Sequence, residues 1–544
     1  MKRWGFIFGL LAFLGLGALP AGATTEFSKD VKNPEVQELN KKCVMCHLKE
    51  NKSLVLQWQN SLHAAAKEGP VGCYTCHATE KGDEWGFMHE GAYIRTLQTP
   101  KDCGMCHERE TKEQLMSHHA SAGQIMASLD NVLGEIVCSI PTGEYAKADA
   151  VNGCWQCHGS VVRLVRDKSG KVERKTLYDR EGKPLKNDTG APLIDWMTWP
   201  NSGIGRINPD GTKGTCNACH SKHSFLATVA RQPWACGKCH LGPDHPQKEV
   251  YDESKHGIAY YSTTRGPGMN GMDILKTGKW VLGKDYHFAP TCSTCHMGQY
   301  VKSNGSVAQN THNVGDRISW NLRAPVSVKL NRAVFVDGTD TDVPGEIPPH
   351  PGQTAKVKTY VRKGDKLVKQ VVEKHIQEVI SWKERRKAMQ SVCKSCHGMS
   401  QVELFYQQFD ALVYTYNDKF IKPGLKLVKE LKKDGLWKGT EFQSLLGFVW
   451  FELWHHEGRR ARMAAAMHGP DYVHWHGMYE IARHFYTKFL PLVQKRADKA
   501  GKGEKYKKMI EEILSRPEHI WTRTGGSAEV LKLIKEEQKL RYGQ

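Results

Sequence analysis

Cys43-Val44-Met45-Cys46-His47 is the first of eight stretches that decide how this chain folds. The same Cys-x-x-Cys-His spacing returns at Cys73/Cys76/His77, Cys103/Cys106/His107, Cys154/Cys157/His158 and Cys216/Cys219/His220. It returns again at Cys236/Cys239/His240, Cys292/Cys295/His296 and Cys393/Cys396/His397. Two thiols three positions apart match the separation of the two vinyl groups of haem, to which they add as thioethers. The adjacent His then lies beneath the iron as its proximal ligand. Zinc sites also use Cys-x-x-Cys, but a His after every second Cys is not their pattern. The expected cofactor is therefore haem c, covalently bound eight times. Seventeen cysteines in an exported chain would ordinarily suggest disulfides, yet these motifs take sixteen of them. Cys138 is left over and reads as a buried small residue.

The motifs raise the question of the second axial ligands. Electron-transfer haems are six-coordinate, so seven or eight further ligands are expected among the other histidines. His63 in Ser61-Leu62-His63-Ala64 and His119 in Ser117-His118-His119-Ala120 share a Ser-x-His-Ala pattern, with His118 as the competitor for His119. His89, His223, His256 and His312 each follow a haem motif closely. A seventh ligand is expected from His455 or His456, on a helical pattern near the C-terminus. His158 stands apart, because residues 159–219 contain no His. That stretch alternates apolar residues around the turn signals Asp167-Lys168-Ser169-Gly170 and Asp179-Arg180-Glu181-Gly182. An iron held there would keep an open position, which substrate chemistry requires.

At the N-terminus Lys2 and Arg3 precede an uncharged apolar run from Trp4 to Leu19, and Ala21-Gly22-Ala23 offers a cleavage pattern. Residues 1–23 therefore read as a signal peptide, and the mature chain as exported to the periplasm or an equivalent compartment. The formal charge of +19 is nearly cancelled by two propionates on each of eight haems. No Lys/Arg run with interleaved aromatics supports a nucleic-acid partner. Residues 24–400 are expected to wrap porphyrin as one haem-binding body, with a short β-like insertion after His158 and a loop or small β-excursion over 325–370. From Val402 onward the apolar spacing is helical, with Trp450, Trp454 and Arg462 in an amphipathic pattern, so 401–544 reads as a domain of long helices. The fold class expected is mainly α with little β: a multihaem cytochrome c.

The order of the eight motifs, with Gly242-Pro243-Asp244-His245, Ser254-Lys255-His256-Gly257 and Thr311-His312-Asn313, resembles the octahaem hydroxylamine oxidoreductase family. The resemblance implies that the fourth haem, on His158, is five-coordinate and catalytic, and that Asp244 and His245 sit over its iron as a proton-handling pair. Relatives that oxidise hydroxylamine cross-link this haem to a Tyr of a neighbouring subunit. A gapless count places Met467 at that position, with Tyr472 five residues away. A second active-site Tyr of those relatives matches Arg323, a cation suited to an anionic substrate. The resemblance thus implies an oxidoreductase of small nitrogen compounds. The favoured reaction is nitrite reduction, to nitric oxide, hydroxylamine or ammonium. Hydroxylamine or hydrazine oxidation is the alternative, and a pure electron carrier the third. The partners implied are a small c-type or quinol-linked cytochrome and two further copies of the chain.

Overall fold

The computed structural model describes residues 29–543 except 266–279, parts of 127–151 and 176–189, and residues 364, 365 and 524. The side chains of 358–369 also lie outside the description, as do residues 1–23 expected as a signal peptide, Cys138 and the turn signal expected at 179–182. The described chain is mainly α, about 51% helix and 12% strand. None of its helices is long and apolar enough to cross a membrane.

Three haem motifs each form a single helical turn: Cys73–His77, Cys154–His158 and Cys292–His296 are five-residue helices. The first motif lies inside the longer helix Pro34–Glu50, and the eighth begins at the end of Trp382–Cys393. Residues i, i+3 and i+4 of a helix share one face, so each turn presents two thiols and an imidazole to the same side.

Residues 320–380 form more than a small excursion. The strands β1 (Trp320–Asn321), β2 (Val328–Phe335), β3 (Asp340–Pro344), β4 (Thr354–Lys363) and β5 (Lys366–Ile380) build one antiparallel sheet. β4 and β5 form a long hairpin in register from Thr354↔His375 to Lys363↔Lys366. The root of β5 pairs with β2, which also pairs with β1 and β3. The expectation stopped at residue 370, ten residues short of the end of β5, because that strand carries few turn residues to mark where it stops. Arg385 pins the following helix to this sheet. It is 1% exposed, donates to Asp342 at 2.6 Å and to the Gly315 carbonyl at 2.6 Å.

The largest apolar core is C-terminal, around Phe420, Leu427, Trp450, Ile481, Phe485 and Val493. Its helices contain π-turns at Tyr416–Ile421, Glu452–Glu457, His474–Tyr479 and Phe485–Phe489. Each π-turn widens the helix locally and rotates the succeeding residues onto a new face. The N-terminal body instead has small separate clusters, such as Trp85, Leu97, Val162 and Leu164. Between them runs a branched cavity of about 3840 Å³.

Candidate functional site

That cavity is several times larger than the roughly 1,000 Å³ of a large small-molecule pocket. Every motif histidine lines it: His47, His77, His107, His158, His220, His240, His296 and His397. Burial lowers most of these imidazoles, His77 and His220 to about 4 and His240 to about 3, so they stand neutral, as a metal ligand must. Second partners hold them in place. His77 Nδ1 donates to the Arg95 carbonyl at 2.9 Å, and His296 donates to the Val314 carbonyl.

The six histidines expected as second ligands each lie by one motif histidine. Ring centres are 6.2 Å apart for His47–His89 and for His63–His107, 5.9 Å for His119–His240, 6.5 Å for His220–His312 and 6.0 Å for His256–His397. His223 is the imidazole whose charge acts on His77. Two metal–nitrogen bonds of ~2.0 Å, plus ~1.1 Å from each nitrogen to its ring centre, sum to ~6.2 Å. The residues of these five measured pairs therefore fit haem iron between the facing rings. Among the described residues, no ring faces His158 or His296 in this way.

The motifs also approach one another. The Cys103 thiol touches that of Cys216, Cys157 touches Cys239, and Cys236 touches Cys292. Cys43 lies near Cys73, Cys76 near Cys106, Cys219 near Cys236, and Cys295 near Cys393. The result is a line of motifs one, two, three, five, six, seven and eight, with the fourth attached as a side branch to the sixth.

Asp244 and His245 lie beside that branch, and both act electrostatically on His158. His245 Nδ1 donates to Asp244 in a short hydrogen bond, and Nε2 donates to the Cys239 carbonyl at 2.9 Å. With an acceptor at each nitrogen the ring must carry both protons. Burial alone would lower His245, but the hydrogen bond and charge of Asp244 outweigh it and raise it above the ordinary value. Burial likewise works against ionised Asp244. The hydrogen bond from His245 and the neighbouring cations prevail and hold it well below the usual carboxylate range.

The guanidinium that reaches Asp244 is that of Arg459, while Arg323 lines the same cavity nearby. Arg323 Nη2 lies 3.3 Å from His118 Nε2, on the side of Asp342. Arg459 takes the expected place: its Nη1 donates to Asp244 at 3.2 Å, and its Nε donates to the Arg323 carbonyl at 3.0 Å. His455 and His456 also part from expectation. His455 stacks on Phe451 at 4.3 Å and points Nδ1 toward Asp244 at 3.9 Å, while His456 feels the charge of the same carboxylate. Burial, then Arg459, push His455 down to about 3, so it is a neutral ring. His455 and Arg459 are four residues apart, straddling the end of the π-turn Glu452–Glu457. That spacing was the available signal, but the π-turn sets the direction in which it points. Met467 lines the cavity, whereas Tyr472 lies against Glu249, Glu253 and Asp471.

Residues 208–335, which contain the fifth, sixth and seventh motifs, match the family described as seven times multi-haem cytochrome CxxCH. A curated relative, the probable nitrite reductase-hydroxylamine oxidoreductase fusion protein of Kuenenia stuttgartiensis, is 28% identical over 237 residues, 38% of this chain. The match spans about a quarter of that relative's length, 26%. A solved hypothetical multiheme protein has the same fold, with a TM-score of 0.64 and 24% identity over 86% of this chain and 97% of that one. A reducing HAO-like protein complex of Kuenenia stuttgartiensis aligns with a TM-score of 0.49 at 18% identity, over 86% of this chain and 87% of that one. Eight Cys-x-x-Cys-His motifs around one cavity, facing imidazole pairs at iron-spanning distance and the family match together make the chain a multihaem c-type cytochrome, with covalently attached haem c as its cofactor.

Proposed function

We propose that the chain is an exported octahaem oxidoreductase that reduces nitrite at the haem held by Cys154, Cys157 and His158. The observation that carries this reading is the cluster of Asp244, His245, His455 and Arg459 beside His158, where no second imidazole among the described residues faces the proximal ring. Haem held by Cys154, Cys157 and His158 would supply redox-active iron able to take substrate, and haems on the neighbouring motifs would supply electrons. The chain's own residues supply the rest. Protonated His245 and Arg459 against one ionised Asp244 leave the site with net positive charge, which favours an anion over a cation. His245 shares its Nδ1 proton with Asp244, so the proton reaches bound substrate through that carboxylate, and Asp244 also orients the ring. Reduction of nitrite to nitric oxide, hydroxylamine or ammonium consumes more protons than electrons in every case, so a proton donor beside the iron is required.

His118 completes the ligand set in this reading. It lies beside Gly315, next to the Val314 carbonyl that holds His296, and serves the haem of the seventh motif in place of His455 or His456. The seven six-coordinate haems then form a wire to a redox partner, a small c-type or quinol-linked cytochrome, and the chain assembles as a homotrimer. The test is paramagnetic resonance of the oxidised holoprotein, together with nitrite-dependent oxidation of a reduced dye. The expected result is a minority high-spin signal that nitrite perturbs, with turnover. Low-spin haem alone would leave a pure electron carrier. Hydroxylamine oxidation without nitrite reduction would reverse the direction.

A further inference from the structure

The six facing histidine pairs differ in what stands behind the rings. His77 Nδ1 meets a backbone carbonyl, and His47 Nδ1 lies 3.0 Å from the amide oxygen of Asn51. Both of those acceptors are uncharged. Behind the pair His220–His312 stand two carboxylates, Glu110 and Glu113, both acting on His312, and Glu113 is the one seen against the ring nitrogen. Glu113, on the helix Glu108–Met116, places Oε2 3.8 Å from His312 Nδ1 and accepts the His312 backbone N–H at 2.8 Å. That ring nitrogen is buried and makes no hydrogen bond of its own. Arg109, one turn earlier, lies 3.9 Å from Glu113 Oε1 and ties the same helix to Gln309 and Asn310 at 3.0–3.3 Å. The loop carrying His312 is thus fastened on both sides of the ring, and the carboxylate sits where the ring presents its second nitrogen.

A carboxylate behind a ligating imidazole raises the basicity of the ligand and stabilises the more highly charged form of the metal. For haem this favours ferric over ferrous iron and lowers the potential. The location gives that effect a consequence. Cys216 touches Cys103 on one side and Cys219 lies near Cys236 on the other, so in the line of motif contacts the fifth links the first three to the sixth. We propose that Glu113 is a positioning residue that makes the haem of Cys216–His220 a low-potential step between the N-terminal haems and the catalytic side of the molecule.

This inference rests on haem attachment and axial ligation by His312, and not on nitrite as substrate. Its test reads low-spin haems only, so it stands or falls separately from the open site at His158. The experiment is a potentiometric titration of the holoprotein, followed by optical and paramagnetic resonance spectra. In Glu113→Gln one low-spin component is expected to move to higher potential with the others in place, and its resonance to shift. In Arg109→Gln, which removes the cation countering Glu113, the same component is expected to move lower. If Glu113→Gln fails to load haem, the Arg109→Gln titration decides alone. Curves that superimpose on the parent protein, or a uniform shift of all components, would overturn the proposal.

Discussion

His245 has no free nitrogen to give to iron, because Asp244 and the Cys239 carbonyl occupy both. It therefore behaves as a charged donor rather than a ligand. Asp244→Asn and His245→Ala are expected to lower turnover by about 10²-fold or more, with haem content and the low-spin spectrum unchanged. A new high-spin signal in His245→Ala would mean that the ring was a ligand after all. The sign of the pH dependence comes from the raised His245 and depressed Asp244. Below the His245 value the proton is present and turnover holds. As pH rises through that value the donor empties and turnover falls. Removing the carboxylate charge in Asp244→Asn withdraws the main support for the proton, so the falling limb should move to lower pH. Arg459→Gln, which removes a cation from Asp244, is expected to raise the nitrite concentration needed for half-saturation of the high-spin signal.

At the scale of elements, the helix Trp382–Cys393 carries the eighth motif at its end, and one buried arginine fixes it to the sheet. Arg385→Ala leaves Asp342 ionised and largely buried without this partner, and should cost ~3 kcal/mol or more of stability. Guanidinium unfolding of the holoprotein measures it. Burial works against the charge on Asp342, but His118 and Arg385 lower it to about 2. A depressed carboxylate contributes stability that is present above its unfolded value near ~4 and is lost as pH falls through the folded value. The parent protein should lose this increment over that window, and Arg385→Ala should show a smaller loss. The C-terminal helices depend on their π-turns in the same way. The turn at Glu452–Glu457 sends His455 to the cavity and buries Glu457 against His484.

For the whole molecule, the contacts between motif thiols imply a line with one branch, and the branch ends at His158. Under the proposed function, a reaction at this end would be supplied from either arm without interrupting transfer along the line. The position expected for a covalent link between subunits holds Met467, which cannot form the bond that Tyr makes to the haem meso carbon, while Tyr472 packs near Glu253. Denaturing electrophoresis with haem staining should therefore show a single band near the mass of one chain, 61.3 kDa before processing. A haem-stained species at three times that mass would assign the link to Tyr472 and favour hydroxylamine oxidation.

That the chain binds haem c covalently, and which histidines lie beside the Cys-x-x-Cys-His turns, could be read from the sequence. Cys-x-x-Cys-His is a local device whose function comes from one helical turn, and His63, His89, His119, His223, His256 and His312 fall in short patterns near such turns. His455, Arg459 and Arg323 were not legible to the same degree. Asp244 and Arg459 are 215 residues apart, and which guanidinium reaches that carboxylate depends on the rotation imposed by a π-turn, which leaves no mark in apolar spacing. The extent of β5 was hidden for a related reason, since strand length past a hairpin tip is set by pairing with β4 and β2 and not by the strand itself. Local covalent chemistry is written residue by residue, whereas long-range electrostatics and pairing exist only once the packed chain brings distant residues to within a few ångströms.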